Sequence, residues 1–419
     1  MSVCPAQPAS GFVNEDRLSR RLTAMAAIGA TAQGGVNRQA LTREDALAQR
    51  LLIEWGAELG LSPCTDPAGN LFLRLPGLDA DAAPVLSGSH LDSQPTGGKL
   101  DGVYGVLAAL EAVQAIVATG VTPHRPIEIV AWMNEEGSRY APGMMGSAAF
   151  TGARPLPAIL AVTDAAGISV AQALADVRRL LPEIPQRKLG LPVAAYVEAH
   201  IEQGPELEQH GDTIGVVTGI QGKRTFRVQV LGAAAHAGTS RRAERKDAML
   251  AATGMIQALA HALHDPEDIV KFTVGRYLAS PNAPSVVASE VVFSIDLRHP
   301  DSTRLKALGD QIAPICQASA APCDVHVEEL SRADSLEFPP AMRDRVRRAA
   351  ARLGLRHRDI LSTAGHDARY LHPHSPSAMI FVPSHLGLTH CETEYTAPAD
   401  LAAGARVLAD VLNELANPG

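Results

Sequence analysis

Hydrophobic and polar positions alternate in two rhythms along the chain. In "TREDALAQRLLIEWGAELG" apolar residues recur at helical spacing, with Leu47, Leu51, Trp55 and Leu59 on one predicted face, Thr42 as the N-cap and Gly60 as the stop. "NLFLRLPG" then switches to a period of two, placing Leu71, Leu73 and Leu75 on one side of a strand. "APVL" before Ser87 reads as a short buried strand, and "VYGVLAALEAVQAIVATG" as a helix ending at Gly120. "RPIEIVAWMNEEGS" and "VAAYVEAHIEQGPE" are further apolar strands. The first ends in Glu135 and Glu136, the second around His200 to Gly204. Strand, helix and strand at these spacings predict an α/β sheet covered by helices.

The order changes after Gly219. "KRTFRVQVLG" is a strand, "KDAMLAATGMIQALAHAL" a helix, "VKFTVGRYL" and "EVVFSIDLRH" strands, "DSTRLKALGDQIAPICQA" a helix capped by Asp301, and "CDVHVEEL" a strand. That is βαββαβ, the ferredoxin-like unit. Helix and strand then resume with "PPAMRDRVRRAAARLG", "SAMIFVP" and a last helix from about Pro398. The pattern predicts an α/β protein of two domains. One is built from residues 1–219 and 333–419, and a smaller ferredoxin-like domain, 220–332, is inserted in it. A chain of 419 residues is long enough for two cores.

Composition narrows the function classes. At 46% hydrophobic and 20% charged residues the chain reads as a soluble globular protein. A net charge of −8 argues against a surface for polyanions, so no nucleic-acid partner is expected. No apolar run is long enough to span a bilayer, since the helix after Asp101 is interrupted by Glu111 and Gln114, so no membrane partner is expected either. The segment "MSVCPAQPAS" shows neither the basic nor the apolar region of an export signal. The cysteines, Cys4, Cys64, Cys316, Cys323 and Cys391, are scattered without a C-x-x-C, which points to a reduced, cytoplasmic setting.

The candidate chemistry sits at strand ends. "SGSHLDSQPTGGKLDGVYG" carries His90, Asp92 and Asp101; Glu135 and Glu136 close the next strand; His200 closes another; His390 follows "SAMIFVP" through "SHLGLTH". In an open α/β sheet, groups at the carboxyl ends of neighbouring strands meet in one crevice. Imidazoles and carboxylates together are a transition-metal ligand set. One aspartate can bridge two ions about 3.5–4 Å apart, a pair that activates water and polarises a carbonyl. Each signal alone has an ordinary reading as a core histidine, a solvated turn or a helix cap. The force lies in five of them falling at separate strand ends.

The stretches "GSHLDSQPTGGKLDGVYGVLAALE", "NEEGSRYAPGMMGS", "EAHIEQGPELE", "AAAHAGTS", "TAGHDA" and "GLTHCETEYT" together resemble the hydantoinase/carbamoylase branch of the M20 metallopeptidase-like amidohydrolases. That branch includes N-carbamoyl-L-amino-acid hydrolases, β-ureidopropionase and allantoate amidohydrolase. The resemblance implies that His90, Asp101 and His200 hold one divalent ion and that Asp101, Glu136 and His390 hold the other, with Asp101 bridging. Zinc is the first expectation; manganese, cobalt or nickel are the alternatives. Glu135 would be the general base, and Asp92 would orient His90. Gln203, His236, Asn282 and Arg298 would contact substrate, His236 as an oxyanion donor. The inserted domain would act as lid and as the surface of a homodimer, with His236 supplied by its own chain or by the partner.

The implied reaction is hydrolysis of the carbamoyl C–N bond of an N-carbamoyl amino acid to the free amino acid, ammonia and carbon dioxide. Allantoate or a related ureide is the second reading, and an N-acyl amino acid or dipeptide the third. A binding protein of the same fold without catalysis is a fourth, against which Glu135 stands beside the five ligand positions. One departure bears on specificity. Family members commonly read "PNAxNVxPG" where this chain reads "SPNAPSVVAS", so Ser285 replaces an asparagine that serves the substrate's polar end. The basic run "RRAERKD" at 241–247 reads as a loop before a helix, and His372, His374, His385 and Cys391 read as neighbours rather than ligands.

Overall fold

Residues 8–418 are described by a computed structural model of the chain. The chain divides into one unit that takes in the sequence up to Thr218 and again from Phe338, and a second unit, Gly219–Glu337. Strands β1 (Ser62–Thr65), β2 (Leu71–Leu75), β3 (Val85–His90), β4 (Ile127–Trp132), β5 (Ala195–Ile201) and β6 (Ile214–Ile220) come first. Next come β7 (Gly222–Leu231), β8 (Ala235–His236), β9 (Lys271–Ser280), β10 (Val286–Val287), β11 (Glu290–His299), β12 (Asp324–Ala333) and β13 (Leu336–Glu337). The chain closes with β14 (His357–Ser362) and β15 (Ser377–Val382).

The sheet of the first unit has the order β1-β2-β4-β3-β5-β15-β6, with β14 beside β6. Strands β3, β4, β5 and β15 are buried along their whole length, the signature of strands covered on both faces. β3 runs parallel to both β4 and β5, and β15 parallel to β5. From β3 the chain goes first to β4 on one side, then to β5 on the other. That reversal puts a crevice at the carboxyl ends of these strands. The helix Val103–Ala118 is buried almost all round and lies against the helix Pro398–Ala416. Its one acid, Glu111, is fully buried and takes a guanidinium fork from Arg17 (2.8 and 2.6 Å) and the Asn14 amide (2.7 Å). This ties the helix Glu15–Ala26 to the core.

In the second unit four antiparallel strands stand in the order β12-β7-β11-β9. Alternate residues of β7 and β11, Phe226, Val228 and Val230 with Val291, Phe293, Ile295 and Leu297, pack with Ala252, Met255 and Leu259 of the helix Ala248–Ala262. One buried and one open face is what the period-two pattern implies.

Three elements differ from the sequence expectation. The helix Arg43–Glu58 is capped by Thr42, but it buries Asp45, Ala46, Ala48, Gln49, Leu52, Ile53 and Gly56. Leu47 is 42% exposed, Leu51, Trp55 and Leu59 pack half-buried at the border, and Asp45 turns inward to accept the Leu41 amide (2.8 Å). Strand β3 does not stop before Ser87 but runs through Ser-Gly-Ser to His90, with the hydroxyls of Ser87 and Ser89 donating to Val197 O and Glu198 Oε1 (2.7 Å each). The single helix expected after Asp301 is two, Ser302–Gly309 and Ile312–Ala318. The Arg224 guanidinium enters at the break, binding Lys306 O (3.0 Å) and Asp310 Oδ1 (2.8 Å). No described helix is long and apolar enough to cross a membrane.

Candidate metal centre

His90 is the last residue of β3 and His200 the sixth of β5. Each ring places Nδ1 against a main-chain carbonyl, Asp92 O at 2.9 Å and Ile201 O at 2.8 Å. A carbonyl can only accept, so Nδ1 carries a proton and Nε2 is the nitrogen each ring leaves free to face an ion. Both Nε2 atoms face Asp101 Oδ1, at 3.8 Å from His90 and 3.2 Å from His200. His200 Nε2 is buried and makes no well-aligned hydrogen bond, although it stands 3.2 Å from Asp101 Oδ1.

Asp101 follows the glycine-rich loop. Gly102, at φ +66°, is required there, since a Cβ would stand 2.3 Å from His90 Cε1. Asp101 Oδ2 faces the other way, 3.0 Å from His390 Nε2, and that nitrogen lies 3.4 Å from Glu136 Oε2. Two donor groups therefore share Asp101: His90 with His200, and Glu136 with His390. A third group, Glu198, His200 and His366, competes for His200. Glu135 Oε2 is 3.5 Å from His90 Nε2. Gln203 Nε2 lies 2.9 Å from Asp101 Oδ2.

Asp92 meets both His90 and the neighbouring loop. Its main-chain oxygen holds His90, while its carboxylate, 3.7 Å from His90 Nδ1, accepts the amides of Glu135 and Glu136 at 3.2 Å each. The carboxylate thus fixes the two acids of the neighbouring loop, not the imidazole.

The charge balance asks for a cation. Burial, then Asp367, Glu136 and other acids, push Glu135 well above the usual carboxylate range. Burial and Asp101 push Glu136 up to about 8, and burial pushes Asp92 up to about 7. Burial opposes the charge of Asp101 too, but His200 and His390 outweigh it and hold that carboxyl well below its usual value. The ion-pair partners of Asp101, Glu135 and Glu136 are histidines. Divalent cations would supply the missing positive charge, and the mixed imidazole and carboxylate donors suit zinc or its first-row neighbours. The residues fit such ions.

In the second unit His236 lies on β8, which pairs with β10, and the Ala237 amide donates to Ser285 O (3.0 Å). This joins the His236 turn to the loop of Asn282, whose φ is +56°. Arg298, near the end of β11, directs Nε and Nη2 at the Asp296 carboxylate (2.8 and 3.2 Å).

Residues 86–414 match the sequence pattern of peptidase family M20/M25/M40. The N-carbamoyl-L-amino-acid amidohydrolase of Rhizobium meliloti is 40% identical over 96% of this chain and 97% of its own. A crystal structure of an amidase of the hydantoinase/carbamoylase family from Burkholderia vietnamiensis superposes with a TM-score of 0.89 at 40% identity, covering 98% of this chain and 99% of that one. The chain belongs to the hydantoinase/carbamoylase branch of the M20 family. The allantoate amidohydrolase of Bacillus subtilis is also similar, 33% identical over 94% of this chain and 95% of its own.

Several residues of this M20 site were not singled out by the sequence reading. Gln94 Nε2 donates to Glu136 Oε2 (2.7 Å). Arg38, buried, donates from Nε to Leu91 O (2.7 Å) between His90 and Asp92. His366 lies 4.5 Å from the His200 ring centroid and pairs with Ser362 Oγ (2.9 Å). Glu198 and Asp367 are fully buried. Glu198 stands two residues before His200 on one strand, so period two alone puts both on the same face. His372, His374 and His385 bind elsewhere, His374 to Leu191 O (3.1 Å) and His385 to Glu208 Oε1 (2.6 Å), while His372 packs on the Phe338 ring. Cys391 is half-buried with Sγ 3.4 Å from Thr393 Oγ1.

Proposed function

We propose that the chain is a two-metal amidohydrolase that cleaves the carbamoyl C–N bond of an N-carbamoyl amino acid, releasing the amino acid, ammonia and carbon dioxide. The observation that carries this reading is Asp101, whose two oxygens each face a separate donor group, with Glu135 at 3.5 Å from His90. The likeness to the Rhizobium meliloti amidohydrolase supports the substrate class. Zinc, or manganese, cobalt or nickel in its place, would polarise the ureido carbonyl and acidify a water when bound.

Glu135 takes the proton of the attacking water and passes it to the leaving nitrogen. Its amide is held by Asp92, which fixes the backbone from which its carboxyl reaches to 3.5 Å of His90 Nε2. Gln203 and Arg298 are read as contacts of the substrate, with Asn282 at its polar end; Arg298 would exchange part of its hold on Asp296 for the substrate's carboxylate. His236 completes the oxyanion site. Its Nδ1 accepts the amides of Gly238 (3.0 Å) and Thr239 (3.1 Å), so the neutral ring carries its proton on Nε2, the tautomer an oxyanion needs. His236→Ala should leave metal content unchanged and lower kcat about 10²–10³-fold, read by steady-state kinetics beside elemental analysis.

The second unit is read as a ferredoxin-like lid and dimerisation domain. Its sheet order and helices fit that fold, and its edge strand β9 leaves Tyr277 39% and Leu278 58% exposed. An open strand edge lined by such residues suits a second copy of the chain. The free thiols of Cys64, Cys316, Cys323 and Cys391 fit a reducing cytoplasm. Allantoate is the second reading, supported by the Bacillus subtilis relative.

Ammonia release from N-carbamoyl-α-amino acids, N-carbamoyl-β-alanine and allantoate, with the protein loaded in turn with Zn²⁺, Mn²⁺, Co²⁺ and Ni²⁺, tests the assignment. Turnover of the first class above the others is expected. Release from none of them by protein with metal bound overturns it.

A further inference from the structure

The two metal-donor groups are supplied by different loops, and one buried carboxylate joins those loops. Glu394 is 2% exposed. Its Oε1 accepts the amides of Leu100 (2.8 Å) and Asp101 (3.1 Å). Its Oε2 accepts the hydroxyl of Thr389 (2.9 Å), the residue before His390. No room is left beside it, since a Cβ on Gly98 would stand 2.0 Å from Glu394 Cδ. The loop that carries His390 needs such a hold. His390 has φ +54°, a conformation that costs a non-glycine residue free energy, and its side chain is 47% exposed, so packing does not fix it. The turn closes on itself through Glu394 N to Cys391 O (3.1 Å), which carries the Glu394 backbone round to face the Asp101 loop. Outside it, Glu392 Oε1 binds the hydroxyl of Thr31 and gives the same loop a second anchor.

We propose that Glu394 is a positioning residue that clamps the His390 loop onto the Asp101 loop and so sets the geometry of the group Asp101, Glu136 and His390. The proposal rests on the two-metal reading above. A carboxylate that only stabilised the fold would act on both ions alike. A clamp acts on the ion that uses His390, because the His90 and His200 rings are held by their own backbone carbonyls and need no help from Glu394.

The test is equilibrium dialysis of chelated protein against Mn²⁺, with the two affinities resolved and ions per chain counted by elemental analysis. Wild type is expected to take two ions. Glu394→Ala should weaken the looser ion about 10–100-fold and move the tighter one far less. Glu394→Gln keeps an oxygen for the two amides and an amide group for Thr389, so it should stay near wild type. Should Glu394→Ala fail to fold by circular dichroism, Thr389→Val removes the hydroxyl that Glu394 accepts, together with its longer contacts to Gln203 Nε2 (3.3 Å) and Asp101 Oδ2 (3.4 Å), and should weaken the looser ion more than the tighter one. Equal affinities in Glu394→Ala and wild type overturn the proposal. So does a Glu394→Gln variant as weak as the alanine, or a Thr389→Val variant with both affinities unchanged. Fewer than two ions in wild type would instead overturn the two-metal reading, and the clamp with it.

Discussion

The two halves of the candidate metal centre share Asp101 and differ in almost everything else. His90 and His200 stand on adjacent strands, 3% and 1% exposed, each with Nδ1 fixed to a carbonyl. His390 stands in a loop, at positive φ, 47% exposed, facing a Glu136 held by Gln94. The first half is built by the sheet, and the second by loops that reach across it. A site whose donors are already in place loses little freedom on binding, while loops must be ordered. The inner ion should therefore bind tightly and report on the fold, and the outer one should bind loosely and report on its loops.

The largest break comes at the shared atom. Asp101→Ala should lower occupancy at both positions and abolish turnover, read by elemental analysis and ammonia release. Loss of only one ion would argue against sharing. Glu135→Gln should leave both halves loaded and cut the rate about 10²–10⁴-fold, because it removes the proton acceptor without touching a ligand. Full activity in that variant would remove Glu135 from the chemistry.

A smaller effect should appear with pH in metal-free protein. Glu136 is pushed up to about 8 by burial and Asp101, and Asp92 and Glu394 up to about 7 by burial, all above the ~4 of a carboxyl in an unfolded chain. A group whose folded value is raised stabilises the fold most below its unfolded value, and that contribution is lost as pH rises through the folded one. Thermal melts of chelated protein should therefore show stability from these groups falling as pH rises through 7 to 8. Added metal should restore more stability at pH 8 than at pH 6, because the ion replaces the departing protons. A melting temperature of the chelated protein that climbs over that range would contradict the charge balance drawn for the site.

The inner half was the more legible in sequence, for the same reason that it is the more rigid. His90, Glu135 and His200 follow or end apolar strands, and strand ends of one sheet must converge. Strand length was less legible, since Ser-Gly-Ser in β3 looks like a loop until Val197 O and Glu198 are seen to receive the hydroxyls. The outer half depends on contacts with no local signal. Gln94 meets Glu136 across 42 positions, and Glu394 meets Asp101 across 293. The spacing of Asp92 from His90 suggested that it orients the ring, but not that the turn after His90 brings its main-chain oxygen there and leaves its carboxylate for the amides of Glu135 and Glu136. In the helix Arg43–Glu58 the face drawn through Leu47, Leu51, Trp55 and Leu59 lies at the border of the contact, whose buried centre runs through Leu52, Ile53 and Gly56.

Two unlike metal positions joined by one aspartate can be told apart by the number of ions retained per chain after dialysis of zinc-loaded His200→Ala and His390→Ala protein beside wild type. Wild type should hold two. His390→Ala should hold one, bound nearly as tightly as the tighter ion of wild type, and His200→Ala should lose that tight ion. A wild type that holds a single ion, or a His390→Ala variant that loses both while His200→Ala keeps both, would contradict that arrangement.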